Sequence, residues 1–209
     1  MKIFEEKCVS AAADVGNALA MQQSFKELKC KPVLVVKNYC RSEFPPPGSF
    51  KLNVDGALSS NGLIAGVGVI LRDSKGEVMM SAAKKEQGGL NAVEIEGLAI
   101  LHGLQFSNHL GIHNLVIESD SLLVVNEFAR QGSSKAAIGN TIKQAKELMR
   151  RFSSCVVQYA NRSFNAAAHS LAKFGLCVKN ISLWWGSFPD VISNILWIDS
   201  LVEVLVLDE

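Results

Sequence analysis

KLNVDGALSSNGLIAGVGVILRDSKGEVMMSAAK, residues 51–84, reads as three successive strands joined by two short turns. From Lys51 to Ala57 the apolar Leu52 and Val54 alternate with Lys51, Asn53 and Asp55, the two-residue period of a strand. Ser59-Ser60-Asn61-Gly62 makes a loop, and Leu63 to Arg72 follows as an apolar, β-branched run in which Gly66 and Gly68 permit close backbone approach. Asp73-Ser74-Lys75-Gly76 has the composition of a hairpin turn, after which Glu77 to Lys84 returns as a third strand. Short connections of this kind make an antiparallel meander.

On the C-terminal side the period changes. Gly88-Gly89 ends the meander, and from Leu90 to Leu110 the apolar residues recur at helical spacing until Gly111, a residue favoured just past a helix end. Leu115 to Ser119 is a short strand with little polar interruption, as expected where both faces are covered. A helix over Ser121–Arg130, a Gly-Ser loop, a helix from about Gly139 to Arg151, a fifth strand over Cys155–Tyr159 and a helix over Asn165–Lys173, stopped by Gly175, complete the pattern. The order βββαβααβα implies an α/β domain with a five-stranded mixed sheet, strands 1, 2 and 3 antiparallel and strands 4 and 5 parallel to strand 1. Because crossovers between parallel strands are almost always right-handed, the fourth strand is expected beside the first, which brings Asp55 near Asp120.

On the N-terminal side, residues 1 to about 43 read as a weakly amphipathic helix and a short extended stretch, PVLVVKNY, ending at Pro45-Pro46-Pro47-Gly48, which cannot continue a helix. Expected boundaries are therefore 1–48 for the helix and proline-rich linker, 49–177 for the main domain and 178–209 for a C-terminal extension. With 209 residues, 48% of them hydrophobic and 20% charged, the chain is rich enough in apolar residues to bury one core. Glu5 and Glu6 occupy the place where a secretory signal would be apolar, and the tail is broken by Asp199 and Glu203, so a soluble intracellular protein without membrane association is expected. The five cysteines, Cys8, Cys30, Cys40, Cys155 and Cys177, show neither disulfide-framework nor zinc spacing. A net charge of +1 gives no general attraction to phosphate, so nucleic-acid binding would need a local basic patch.

Three acids stand where a packed domain has least use for them: Asp55 inside a strand pattern, Glu96 on a helix and Asp120 at the end of an apolar strand. Helical neighbours of Glu96 are Ala92, Val93, Ala99, Ile100 and Gly103, all small or apolar, so Glu96 faces inward, whereas the face of Glu94 is less clear. An inward carboxylate needs a compensating charge, such as a cation. Each acid also has an ordinary reading: a lysine-paired helical acid for Glu96, a helix N-cap for Asp120 and a turn-opening aspartate before Gly56 for Asp55. All three together point to hard divalent cations. Two such ions roughly 3.5–4 Å apart can activate water and stabilise the departing oxygen of a phosphodiester.

NVDGA, the AGVGVILRDSKGEV hairpin, EGLAILHGL from Glu96, IESDSLLVV and NRSFNAAAHSLAKFG, in this order and spacing, resemble the type 1 ribonuclease H domain, and more closely its plant reverse-transcriptase-like, retroelement-derived branch. The resemblance spans Lys51 to Leu176, and FPPPGSF before it and Trp184-Trp185 with Pro189 after it are similar to that branch's flanks. It implies a five-stranded mixed sheet with helices on its faces that cleaves the RNA strand of RNA–DNA hybrids in a magnesium-dependent hydrolysis. By motif position Asp55, Glu96 and Asp120 match the first three metal-binding acids. The alternative is a catalytically weak or inactive module that retains the fold and binds nucleic acid or a partner.

The fourth acid of the family falls here on His169. Imidazole suits magnesium poorly and manganese better, and His169 has three open roles: holding a water, shuttling a proton, or packing. Just before Glu96, the polar asparagines and arginine of better-known ribonucleases are replaced by Ala92 and Val93, with Asn91 nearby, which alters the expected recognition of the 2′-hydroxyl. Gly56, Asn91, Ser121 and Arg162 are expected nucleic-acid contacts, joined by Lys143, Lys146 and Arg150 on one helix face, a stripe that equally fits a solvated surface. His102, His109 and His113 lack ligand spacing, Gly66 and Gly68 do not open a helix as a nucleotide loop would, and Trp184 and Trp185 read as core or edge packing in preference to base stacking. A monomer is expected, and the sequence identifies no protein partner.

Overall fold

The computed structural model describes residues 44–130 and 137–204, with side chains to residue 199. The N-terminal helix and PVLVVKNY stretch read from the sequence, Cys8, Cys30 and Cys40, and the Gly-Ser loop lie outside the described residues. The strands are β1 (Ser49–Leu58), β2 (Ile64–Arg72), β3 (Val78–Gln87), β4 (Asn114–Ser119), β5 (Ser154–Tyr159) and β6 (Ile181–Trp185). The helices are α1 (Ala92–Ser107), α2 (Leu122–Ala129), α3 (Gly139–Met149), α4 (Ala166–Gly175) and α5 (Ser193–Val204), with short 3-10 turns at Arg162–Asn165 and Asp190–Ile192.

The strand order is β5-β4-β1-β2-β3-β6. β1 pairs antiparallel with β2, β2 with β3, and β4 pairs in parallel with both β1 and β5, as the crossover argument requires. The sheet has six strands, not five. Residues 181–185, within the segment read as a C-terminal extension, pair antiparallel with β3 from Met80↔Trp185 to Lys84↔Ile181. This edge strand is five residues long and leaves Ile181 and Trp185 exposed, so it lacks the buried apolar run by which β4 announces itself.

Side-chain alternation sends the two faces of the sheet to different helices. Leu52 and Val54 of β1 meet Gly103 of α1, where an added Cβ would lie 2.9 Å from each of their methyl groups. On the other face Gly66 and Gly68 of β2 lie under α4, and a Cβ at Gly68 would be 2.1 Å from the Ala168 carbonyl oxygen. Only glycine admits so close an approach of helix backbone to strand. Val67, Val69 and Leu71 join Leu52 and Val54 in the larger core with Ile95, Ile100 and Leu104 of α1, while Ile70 packs in a smaller one with Ala168, Leu171 and Ile192.

Two boundaries differ from the sequence pattern. α1 begins at Ala92 because Asn91 caps it: its Oδ1 accepts from the Val93 and Glu94 amides, and Glu94 Oε2 accepts in turn from the Asn91 amide. This reciprocal box settles the face of Glu94. The helix ends at Ser107, not Leu110, and Gly111, at φ +68°, sits in the turn that follows.

Candidate metal centre

Asp55 lies in β1 opposite Gly68, so its side chain shares the α4 face of the sheet. It is 2% exposed. The start of α4 is tied to the same strand by Asn165, whose buried Nδ2 donates to the Val54 carbonyl at 2.9 Å. This anchor holds His169 where its Nδ1 stands 2.7 Å from Asp55 Oδ2. Burial raises the Asp55 carboxyl above the usual range, the His169 hydrogen bond opposes that rise, and the Asp120 charge adds to it.

Glu96 reaches the same point from the opposite layer. It lies on α1 between the buried Ile95 and Gly97, inclined toward the sheet end where Gly56 follows Asp55. An added Cβ at Gly56 would meet Ile95 at 2.9 Å, so glycine lets the helix close onto the strand. Burial pushes the Glu96 carboxyl up to about 9, assisted by the Asp55 charge and by a hydrogen bond with Asp55, while the Gly56 backbone pulls the other way. Without a cation, Glu96 holds a proton shared with Asp55. Ser119 Oγ donates to Glu96 Oε2 at 3.4 Å.

Asp120 comes from the end of β4. The parallel register pairs Asn53 with Glu118, and two residues further along both strands bring Asp120 abreast of Asp55. Its capping alternative does not hold, because the residue at the N-cap of α2 is Ser121, whose amide donates to Ser119 Oγ at 3.1 Å and whose own side chain makes no capping bond. One oxygen each of Asp55, Glu96 and Asp120 lies within 4.8 Å of the others. Among the described residues no other group of three histidines, cysteines, aspartates or glutamates is assembled in this way.

These acids line an open pocket of about 350 Å³ with Gly56, Ala92, Val93, Ser121, Leu123, Arg162 and His169. Of the expected nucleic-acid contacts, Gly56, Ser121 and Arg162 are therefore at the pocket. Asn91 is occupied in the cap of α1, and Lys143, Lys146 and Arg150 lie apart on α3, where Lys146 Nζ donates to the Arg130 carbonyl at 3.0 Å and Arg150 pairs with Glu147 at 2.7 Å. His102 has a structural environment, pairing with Glu86 at 2.7 Å and stacking on Phe106. Trp184 packs beside Phe174, while Trp185 remains half exposed on β6. Cys155, half-buried, has its thiol pushed up to about 12 by burial, and Cys177 is exposed; both are free.

Sequence reasoning missed Glu118. It is 3% exposed on the same sheet face as Asp55 and accepts from Lys51 at 3.1 Å, Asn53 Nδ2 at 2.9 Å and Gln158 Nε2 at 3.0 Å. Lys51 and Asn53, which alternate with apolar residues along β1, are both buried. The available signal was Glu118 itself, an acid inside an otherwise apolar strand.

The residues at the pocket fit a divalent cation. Three carboxylates are crowded together, burial raises Asp55 above the usual range and pushes Glu96 up to about 9, and a positive charge placed among them offsets both the burial and their mutual repulsion.

Residues 53–175 match the family model described as reverse transcriptase-like. No curated protein matches the chain. Among solved structures, RNase H1 from the halophilic archaeon Halobacterium salinarum is 21% identical with a TM-score of 0.57, covering 62% of this chain and 98% of its own. The N-terminal RNase H domain of a Mycobacterium tuberculosis protein, solved as a fusion with maltose-binding protein, is 22% identical with a TM-score of 0.57, over 62% and 94% of the two chains. LC11-RNase H1, solved in complex with an RNA/DNA hybrid, is 17% identical with a TM-score of 0.56, over 61% and 96%. The fold is thus that of RNase H, with one further strand at its edge.

Proposed function

The chain belongs to the reverse transcriptase-like family, and from that premise we propose that it is a divalent-metal-dependent endonuclease hydrolysing the RNA strand of RNA–DNA hybrids. The observation that carries the reading is the meeting of Asp55, Glu96 and Asp120, from a strand, a helix and a second strand, within 4.8 Å. A similar fold has been solved with an RNA/DNA hybrid bound, which supports the substrate class.

In this reading Asp55, Glu96 and Asp120 hold magnesium, or manganese in its place. When bound, the ions supply a polarised water and neutralise charge developing on the phosphate. The chain's own contribution is placement. Asn165 fixes α4 to β1, Gly56 lets α1 approach, and the β1–β4 register sets Asp55 beside Asp120. Gly56 and Ser121 at the pocket position the substrate backbone, Asn91 contributes by fixing the start of α1 that carries Glu96, Arg162 offers its remaining guanidinium donors to a phosphate, and Lys143, Lys146 and Arg150 on α3 steer the duplex. Ala92, Val93 and Leu123 give the pocket an apolar wall, so discrimination by the 2′-hydroxyl rests on backbone groups and on Ser121.

One observation favours a second reading, a non-cleaving binding module of the same fold: His169 stands at the fourth acid's position and is engaged with Asp55. The deciding experiment incubates the protein with labelled hybrid, RNA duplex and DNA duplex in magnesium and in manganese, with Asp55→Asn as control. Hybrid cleavage that the control abolishes supports the enzyme. Intact hybrid in both metals with retained gel-shift binding supports the module. The protein is read as monomeric and intracellular; no helix among the described residues is long and apolar enough to cross a membrane.

A further inference from the structure

His169 has both ring nitrogens engaged. Nδ1 lies 2.7 Å from Asp55 Oδ2, and Nε2 lies 3.2 Å from an Nη of Arg162. A guanidinium has donors and no acceptor, so at Nε2 the ring must accept. The hydrogen of the imidazole therefore sits on Nδ1 and points at Asp55. We propose that Arg162 is a positioning residue that holds His169 in its Nδ1–H tautomer, so that the imidazole orients Asp55 for the cations and is not itself a metal ligand. This deepens the nuclease reading and rests on it for the presence of the ions.

The surroundings make the arrangement more than a chance approach of two long side chains. Arg162 and His169 belong to one rigid piece: Asn161 caps the 3-10 turn by accepting from the Ser163 amide, and Asn165, fully buried, ties the turn's end to β1. Asp55 is 3% exposed in its side chain and His169 22% exposed, so the bond between them is sheltered from water. With the Nδ1 lone pair absent and the Nε2 lone pair taken by Arg162, the ring has nothing to offer an ion. One lone pair of Asp55 Oδ2 is taken by the ring, which fixes the direction in which the carboxylate presents its remaining lone pairs to the cluster. The centre then has three carboxylate ligands, and the fourth position contributes direction in place of a donor atom. Removing the Arg162 contact frees the ring to adopt the other tautomer, which turns a lone pair at Nδ1 toward the ions and makes the site a mixed oxygen and nitrogen one.

The test uses the full chain, 15N-labelled, at about pH 8. Two-bond 1H–15N correlation spectra distinguish the tautomers, and loss of the signals in His169→Gln assigns them. The expected wild-type pattern is Nδ1–H, with and without magnesium. Arg162→Met is expected to shift the tautomer ratio by about tenfold toward Nε2–H, the effect of losing one charged hydrogen bond, and Arg162→Lys to recover part of it. With cobalt as the probe, the wild-type absorption spectrum is expected to match that of His169→Gln, whereas Arg162→Met acquires the shift of a nitrogen ligand. Arg162 is exposed, so these variants leave the core intact. A wild-type Nε2–H pattern, an unchanged ratio in Arg162→Met, or a cobalt spectrum that moves when His169 is removed overturns the proposal. The tautomer is read without substrate: an Nδ1–H ring in a protein that cleaves nothing sinks the nuclease and spares the positioning role, and cleavage by a protein with an Nε2–H ring does the reverse.

Discussion

The metal-free protein should become less stable as pH rises from about 5 to about 9, and Glu96→Gln should remove most of that slope. In the folded chain Glu96 is pushed up to about 9, against an ordinary value of 4.5, because burial, the Asp55 charge and the hydrogen bond with Asp55 all favour its protonated form. Between those two values the folded state binds the proton and the unfolded state does not. The stabilisation is therefore complete below the unfolded value and lost as pH climbs through the folded one. Carried entirely by one group, a displacement of that size corresponds to a ceiling of about 6 kcal/mol at 1.36 kcal/mol per pKa unit. Sharing of the charge with Asp55 and Asp120, and the open side of the pocket, reduce it to ~2 kcal/mol, or roughly 4–8 °C in Tm for a chain of this size. Magnesium should oppose the fall, since the cation takes the proton's place; at ten times Kd it adds about 1.4 kcal/mol, and more of it at high pH than at low. The assay is thermal unfolding across the pH range, with a chelator and then with magnesium, for wild type and Glu96→Gln. A wild-type slope that Glu96→Gln leaves intact, or a stability that rises with pH in the chelated protein, would refute the reasoning from a shared buried proton.

Gly68→Ala should cost more than about 3 kcal/mol in urea unfolding, because its Cβ would lie 2.1 Å from the Ala168 carbonyl oxygen and force α4 off the sheet, whereas Gly103→Ala meets only the methyl groups of Leu52 and Val54 and should cost ~1 kcal/mol or less. Lys51→Met takes the ammonium from the buried Glu118 carboxylate and should destabilise by about 3–5 kcal/mol in the same assay, with Lys51→Met/Glu118→Leu recovering much of the loss. Asn91→Ala breaks the cap of α1 and should lower stability by ~1 kcal/mol, read by thermal melting. Neutralising Lys143, Lys146 and Arg150 together should reduce the slope of log binding constant against log salt for a hybrid by about 2.7, measured by fluorescence anisotropy.

What was legible in the sequence is what periodicity and turn chemistry encode locally. The meander of β1, β2 and β3 follows from alternation between glycine-containing turns, and the placement of β4 beside β1 follows from crossover handedness, so Asp55 and Asp120 could be paired without coordinates. Glu96 was legible because a helix face of small and apolar residues has one direction. β6 was not, since an edge strand of five residues pairs on one side only and its Ile181 and Trp185 remain exposed. The partner of His169 was not legible either. The contact joins residues 114 positions apart and depends on a helix start fixed by a single buried asparagine, which no repeat in the chain announces.

Glu118 and Asp120 show why burial of an acid does not by itself identify a cation site: the more buried of the two, Glu118, is the one already balanced by the protein. Glu118 is buried within β4 and Asp120, half-buried, follows directly after the strand, two residues on and facing β1. At Glu118 the opposite rungs carry Lys51 and Asn53, and β5 adds Gln158, so the carboxylate is met by an ammonium and two amides and its charge is balanced within the protein. Two residues on, β1 offers Asp55 in place of Asn53, α1 adds Glu96, and the protein supplies acids to an acid. The distinction yields a direct test of the charge argument: Asp55→Asn removes one of the three acids, and should bring Glu96 down from about 9 toward its ordinary value because the Asp55 charge and hydrogen bond both raise it. Carboxyl-detected NMR titration of the metal-free variant reads this shift directly. A Glu96 that stays fully raised in Asp55→Asn would mean that burial alone sets it, and that the mutual repulsion invoked for the cation site is not what makes these residues bind one.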